Sequence, residues 1–151
     1  MQISNENLSV NIIKASSSPK STEKHTKTYR NEEWGFEFEY PDDWEVKENI
    51  FESYYSKFYV VINPLYTRSS THTIIVNVVK PEFPEKTFKG FKGKEILINK
   101  IKGVRYEYGS ENSREIAIVL PLGLNKIILG TIDLKYEQEY EKFLTTFKFI
   151  K

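Results

Sequence analysis

Between Tyr29 and Val46 the chain reads YRNEEWGFEFEYPDDWEV, and this stretch narrows the folds open to it more than any other. Trp34, Phe36, Phe38 and Tyr40 fall on one face of an extended strand, with Gly35, Glu37 and Glu39 on the other. Pro41 cannot donate to a ladder and stops the strand, Asp42 and Asp43 supply a turn, and Trp44 re-enters the apolar layer with Val46. Each of these rings can bury roughly 150–250 Å², so the stretch predicts one face of a sheet pressed against a core.

At 151 residues the chain is long enough for one domain that buries about 70% of its unfolded surface. Ten Tyr, ten Phe and two Trp favour strands. Lys+Arg 22 against Asp+Glu 21 leaves a formal charge of +1, which argues against a nucleic-acid binder. The absence of Cys rules out disulfides, thiol catalysis and Cys-based zinc sites. No apolar run reaches the roughly 18 residues of a membrane helix. Met1 is not followed by a basic segment and an apolar core, so either the protein is cytoplasmic or a leader once preceded it.

Residues 1–28 read as a tail or tether, with a short alternating strand at residues 8–13 and a polar stretch from Ala15 to Thr28. Asn7, Leu8 and Ser9 match a glycosylation sequon, a pattern common by chance. The domain itself spans residues 29–151. An irregular strand is expected over Asn49–Tyr55. Phe58–Asn63 and Thr73–Val79 are continuous apolar runs that suggest strands covered on both faces, with a polar loop from Leu65 to His72 between them. Further strands are expected at Glu95–Ile101, turning at Gly103, then around Tyr106, around Ile118, and from Lys126 to Tyr136 with Gly130 as a bulge or point of close approach. Tyr140, Phe143, Leu144 and Phe147 recur at i, i+3, i+4 and i+7, the one helical pattern in the chain. The sum is an α+β fold: an antiparallel sheet of about six to eight strands covered by a C-terminal helix.

Tyr29, Asn31 and the Trp34 to Trp44 pattern resemble the opening motif of PsbP-like domains, including many bacterial lipoproteins that carry one. The closing residues Phe143 to Ile150 (FLTTFKFI) resemble their terminal helix, and Gly103, Val104, Arg105, Tyr106 and Tyr108 resemble their mid-chain strand. The resemblance covers Tyr29 to Lys151. It implies an antiparallel sheet flanked by helices, a fold shared with a Ran-binding nuclear import factor. It also implies a non-catalytic role in binding or assembling complexes, often in an exported protein tethered by a lipid on an N-terminal Cys. That Cys is absent here, although Ala15 to Thr28 is like the linker that would follow it. The longer mid-chain helix of relatives has only Lys80–Gly93 to supply it, where Pro81 and Pro84 argue against a helix.

The candidate chemistry is sparse. His25 and His72 lie far apart without Cys, a poor metal set, so no metal or cofactor is expected. Asp42, Asp43 and Glu45 could form a carboxylate site, but a Pro-initiated turn explains them. Gly90 to Glu95 lacks the spacing and the Ser/Thr of a phosphate loop, and Ser110 and Ser113 have no nearby His. The residues Lys80–Lys102 hold seven Lys against three Glu, a net of +4, with Phe83, Phe88 and Phe91 interleaved. Lys86, Lys89, Phe91, Lys92 and Lys94 are therefore the candidate partner surface, the alternative being a solvated loop whose Phe residues pack onto the sheet. Tyr54, Tyr55 and Tyr59 are a candidate ligand groove for a small molecule or glycan. The expectation is a monomeric, non-enzymatic domain that binds another protein or aids assembly of a complex, with no nucleic-acid partner. It would lie extracytoplasmic or at the cell surface if a leader was removed, with membrane attachment only through a tether outside this chain. A glycan binder is the alternative, and a carboxylate enzyme the third.

Overall fold

The computed structural model describes residues 25–49, 53–66, 73–111 and 113–150. The proposed strand at 8–13, the sequon and His72 lie outside them. Two antiparallel sheets form. The strands are β1 (Thr26–Asn31), β2 (Phe36–Pro41), β3 (Trp44–Asn49), β4 (Ser56–Pro64), β5 (Ile74–Val79), β6 (Lys94–Ile98), β7 (Ile101–Ser110), β8 (Ser113–Leu122) and β9 (Asn125–Thr131), and the larger sheet takes the seven from β3 to β9. Its order is β3-β4-β5-β9-β8-β7-β6. The smaller sheet sets β2 between β1 and the two-residue β10, Lys148–Phe149. Helix α1 covers Glu82–Thr87, and α2 covers Glu137–Thr146.

The apolar alternation explains the layering. Ile74, Val76, Ile116, Ile118, Ile127 and Leu129 point to one side of the large sheet, where Phe36, Phe38, Tyr140, Phe143 and Phe147 close over them. Val79, Ala117 and Ile128 point to the other side, under Phe88 of the α1 segment. The doubly covered strands expected from the apolar runs are thus present. Helix α2 buries Tyr140, Phe143 and Leu144, and Phe147 is buried at its C-terminal cap, as the helical spacing requires. The Tyr140 hydroxyl donates to the Leu129 carbonyl oxygen at 2.6 Å. Burial pushes its proton affinity well above the usual tyrosine range.

Several local expectations need correction. The aromatic strand does not join the large sheet: Pro41 closes β2, the Asp42–Asp43 corner turns the chain, and Trp44 opens β3 in the other sheet. Trp34 sits in the turn before β2 and stacks on Phe58, with ring centroids 6.4 Å apart. Strand β3 runs from Trp44 to Asn49, so Asn49 ends a strand instead of opening the irregular one expected over Asn49–Tyr55, of which residues 50–52 lie outside the described residues. Thr26 to Thr28, read as tether, pair with Pro41, Tyr40 and Glu39. The helix between Pro81 and Phe88 forms despite its prolines because Pro81 is its cap and Pro84 lies in its first turn, where no N–H is needed. The β6–β7 turn falls at Asn99 and Lys100, with φ of 46° and 72°, and Gly103 lies inside β7. A Cβ there would meet the Val119 carbonyl oxygen at 2.6 Å, so the glycine answers to close strand packing. Strand β9 stops at Thr131, its ladder runs through Gly130 without a bulge, and Leu134–Tyr136 are a 3₁₀ turn. Arg105, on the face of β7 opposite Tyr106, is mostly covered and reaches the Glu141 carboxylate of α2 at 3.0 Å.

The small sheet carries its own charge ladder. Glu37 of β2 faces Arg30 of β1 and Lys148 of β10, its carboxylate oxygens 2.9 and 3.0 Å from their nitrogens. The hydrogen bond from Lys148, then that from Arg30, holds its carboxyl below the usual carboxylate range. A depressed folded-state value contributes stability above the unfolded value of about 4.3 and loses it as pH falls through the folded one. Glu37→Gln should therefore lower the melting temperature at pH 7, and the gap from the parent should close as the pH is taken below about 4. Thermal melts of both proteins across that range check this.

Candidate functional site

The segment from Lys80 to Gly93 lies across the second face of the large sheet. The β4–β5 pairing sets Ser56 opposite Val79, so Lys80 emerges beside Tyr55, and its N–H donates to the Tyr55 carbonyl oxygen at 2.9 Å. Phe83 then meets Tyr55 at 5.2 Å between centroids. Phe88 stacks on Tyr106 at 4.5 Å and 7° and touches Tyr108 at 5.6 Å. Phe91 leans on Tyr108 at 5.4 Å. Gly93 lets the segment come this close, since a Cβ there would fall 2.3 Å from Val104 Cγ1. Burial, followed by the Glu115 carboxylate, pushes the Tyr108 hydroxyl up to about 12, so it stays protonated at any ordinary pH.

The rings form a floor, and Lys80 and Lys86 stand on it. Lys80 Nζ sits 3.9 Å from the centroid of Tyr54, a ring 72% exposed. Lys86 Nζ lies 5.6 Å from the Tyr55 centroid and donates to its hydroxyl at 3.4 Å. Each such cation–ring contact contributes about 0.5–1 kcal/mol at an exposed site. The two surfaces expected separately, basic and tyrosine-lined, therefore meet as one face. Tyr59 stands within β4, half buried, in register with Asn77. Lys89, Lys92 and Phe91 are exposed on the turn after α1, Phe91 by 47%. Lys94 parts from them: it alternates with Ile96 and Ile98, which pack into the main core, so it points to the α2 side. Among the described residues, none of the seven lysines from Lys80 to Lys102 forms an ion pair, whereas Arg30, Lys47, Arg105, Arg114 and Lys148 all do.

Two cavities flank this face or its reverse. One of about 260 Å³ lies between β1–β2 and α2, lined by Thr26, Glu39, Tyr40, Lys142 and Phe143 among others. Another, of about 170 Å³, lies beside α1 over Ile75, Ala117, Ile128 and Gly130. Neither is lined by Tyr54, Tyr55 or Tyr59. Asp42 and Asp43 are exposed at the corner, where the Asp42 N–H donates to His25 and the Asp43 carbonyl accepts from Leu65. Among the described residues no three His, Asp or Glu side chains gather as a metal site. No helix among them is long and apolar enough to cross a membrane.

The joining of lysines to tyrosines was absent from the sequence reading, although a signal existed. Pairing the two apolar runs as neighbours places the residue after Val79 beside the residue before Ser56. The rings also divide by task. Phe88→Ala should cost roughly 3–5 kcal/mol by opening a cavity under α1, while Phe91→Ala should cost no more than about 0.5 kcal/mol. Urea unfolding of the two variants measures the contrast.

A solved structure shares this architecture. The solution structure of cyanobacterial PsbP from Synechocystis superposes with a TM-score of 0.55 at 13% identity, covering 88% of this chain and 97% of that one. A crystal structure from Bacteroides thetaiotaomicron gives a TM-score of 0.47 at 13% identity, covering 83% of this chain and about half (48%) of that one. No curated protein matches the sequence. Residues 2–111 match the family described as PsbP-like protein, most of the chain, and the fold is that of PsbP. The chain therefore belongs to the PsbP-like protein family.

Proposed function

We propose that this is a non-catalytic domain that docks on an acidic surface of another protein, through the lysine-topped face of the α1 segment. The observation that carries the reading is the run of lysines without carboxylate partners among the described residues, beginning with Lys80 and Lys86 over an aromatic floor. Unpaired surface cations are well hydrated and cost little to keep, yet they steer association and fix orientation when a negative patch approaches. The floor matters because Phe88 anchors the segment, so little ordering is left to be done on binding. The tyrosine groove as a glycan site is the weaker reading: Lys80 lies over the Tyr54 face on which a sugar ring would stack. A place outside the cytoplasm at a cell surface completes the proposal and rests on family membership.

The test uses lysine-to-carboxylate cross-linking on the source cells, with and without the triple charge reversal Lys86→Glu, Lys89→Glu, Lys92→Glu. The parent should yield cross-links from these lysines to Asp or Glu of one recurrent protein. The reversal variant, folded by circular dichroism, should lose that product and weaken any purified complex by tenfold or more. Raising salt from about 0.05 to about 0.5 M should weaken the parent complex in the same direction. Capture of the same protein at full yield by the triple variant would sink the proposal.

A further inference from the structure

The large sheet ends on β6, and that margin has a character of its own. Ile98 and Ile101 close the β6–β7 hairpin around Asn99 and Lys100, whose positive φ values mark the two-residue turn that suits twisted strands. In such a hairpin the closing pair is hydrogen-bonded, and bonded pairs alternate from there. Ile98, Ile96 and Lys94 therefore bond to β7, and Glu95 and Leu97 turn their N–H and C=O groups outward. Among the described residues, neither has a main-chain partner on that side. Leu97 is 63% exposed, a large apolar side chain standing on an open edge. At the opposite edge the Tyr29 hydroxyl of β1 reaches across to Glu48 of β3 at 2.5 Å.

Open edges in folded proteins are usually blunted, often by lysine. Here the lysines do more than blunt. Lys92, Lys94, Lys100 and Lys102 surround the strand against the single carboxylate of Glu95, and none is ion-paired among the described residues. A second copy of the chain would bring this excess against itself. An extended segment with acidic side chains would be drawn in, and its apolar positions could cover Leu97.

We infer that β6 is a strand-addition site: it takes up an extended acidic segment of another protein as an eighth strand, through the outward main chain of Glu95 and Leu97. This rests on the protein-binding reading above but uses the main chain of β6, not the side chains of the α1 segment, so the two can fail separately.

The experiment titrates the isotopically labelled full chain with a synthetic peptide of about ten residues alternating Glu and Val, and with its Lys–Val counterpart. Amide hydrogen exchange at Glu95 and Leu97 is the readout. The acidic peptide should slow both amides about tenfold or more, with the effect fading at high salt, and the basic peptide should do nothing. Glu95→Pro removes one outward N–H without touching the β7 ladder and should weaken the acidic peptide about tenfold. Lys86→Glu with Lys89→Glu should leave this binding unchanged, which separates it from the α1 face. Should Glu95→Pro fail to fold, exchange in the unaltered chain decides by itself. Protection at other strands, equal response to both peptides, or full affinity in Glu95→Pro would overturn the inference. So would protection that rises with protein concentration without peptide, which would assign the edge to a second copy.

Discussion

Everything in this domain depends on a single apolar contact, the rings of β2 laid against the rings of α2. Phe36 faces Phe147 at 5.7 Å and Phe38 faces Phe143 at 5.0 Å. Removing these four rings from water is worth on the order of 10 kcal/mol gross, as large as the whole net stability of a typical domain. The contact also closes the chain on itself. Glu39 donates its N–H to the Thr146 hydroxyl across 107 residues, and Ile150 donates to the Gly35 carbonyl. The lid over the large sheet is thus built from the two ends of the domain, and neither end can cover the sheet alone. Such long-range closure predicts slow, cooperative folding in which the sheet waits for its last helix.

The parts of this arrangement that were legible in the sequence are those that periodicity encodes. Alternation at Phe36 and Phe38, and the i, i+3, i+4, i+7 spacing of Tyr140, Phe143, Leu144 and Phe147, state which side chains go inward. They do not state which sheet a strand joins. A strand of the small sheet and one of the large sheet bury the same face against the same core, so β2 could not be told from a member of the larger sheet. The α1 helix was hidden for a different reason: proline is a breaker in a helix interior but acceptable in its first turn, and composition does not reveal which position Pro84 takes. Gly103 misled because glycine serves both turns and close strand contact, while the true turn used Asn99, which enters the left-handed region readily, and Lys100, which seldom does.

The candidate site was legible as composition and hidden as geometry. Seven lysines in one stretch could be counted, but whether the phenylalanines between them pointed to solvent or to the sheet depended on what lay below. The answer is mixed, since Phe88 is buried on Tyr106 while Phe91 stays half exposed. That mixture follows from spacing. With α1 only six residues long, Phe83 and Phe88 both reach the sheet from its two ends, and Phe91 falls on the turn beyond.

The near-zero formal charge of the chain conceals how its charges are sorted. Arg30, Arg105, Arg114 and Lys148 are tied to Glu32, Glu37, Glu107 and Glu141, and they stitch neighbouring strands and the helix together. For Glu107, burial would raise the carboxyl, yet the hydrogen bond from Arg114 and the charges of both arginines outweigh it and hold it low. Arg30, Arg105 and Arg114 thus serve the fold, with Lys148 beside them, and the lysines from Lys80 to Lys92 are left for the surface, where a flexible hydrated ammonium can meet a partner without prior geometry. The separation of the two cations by task is what makes a neutral chain carry a positive face.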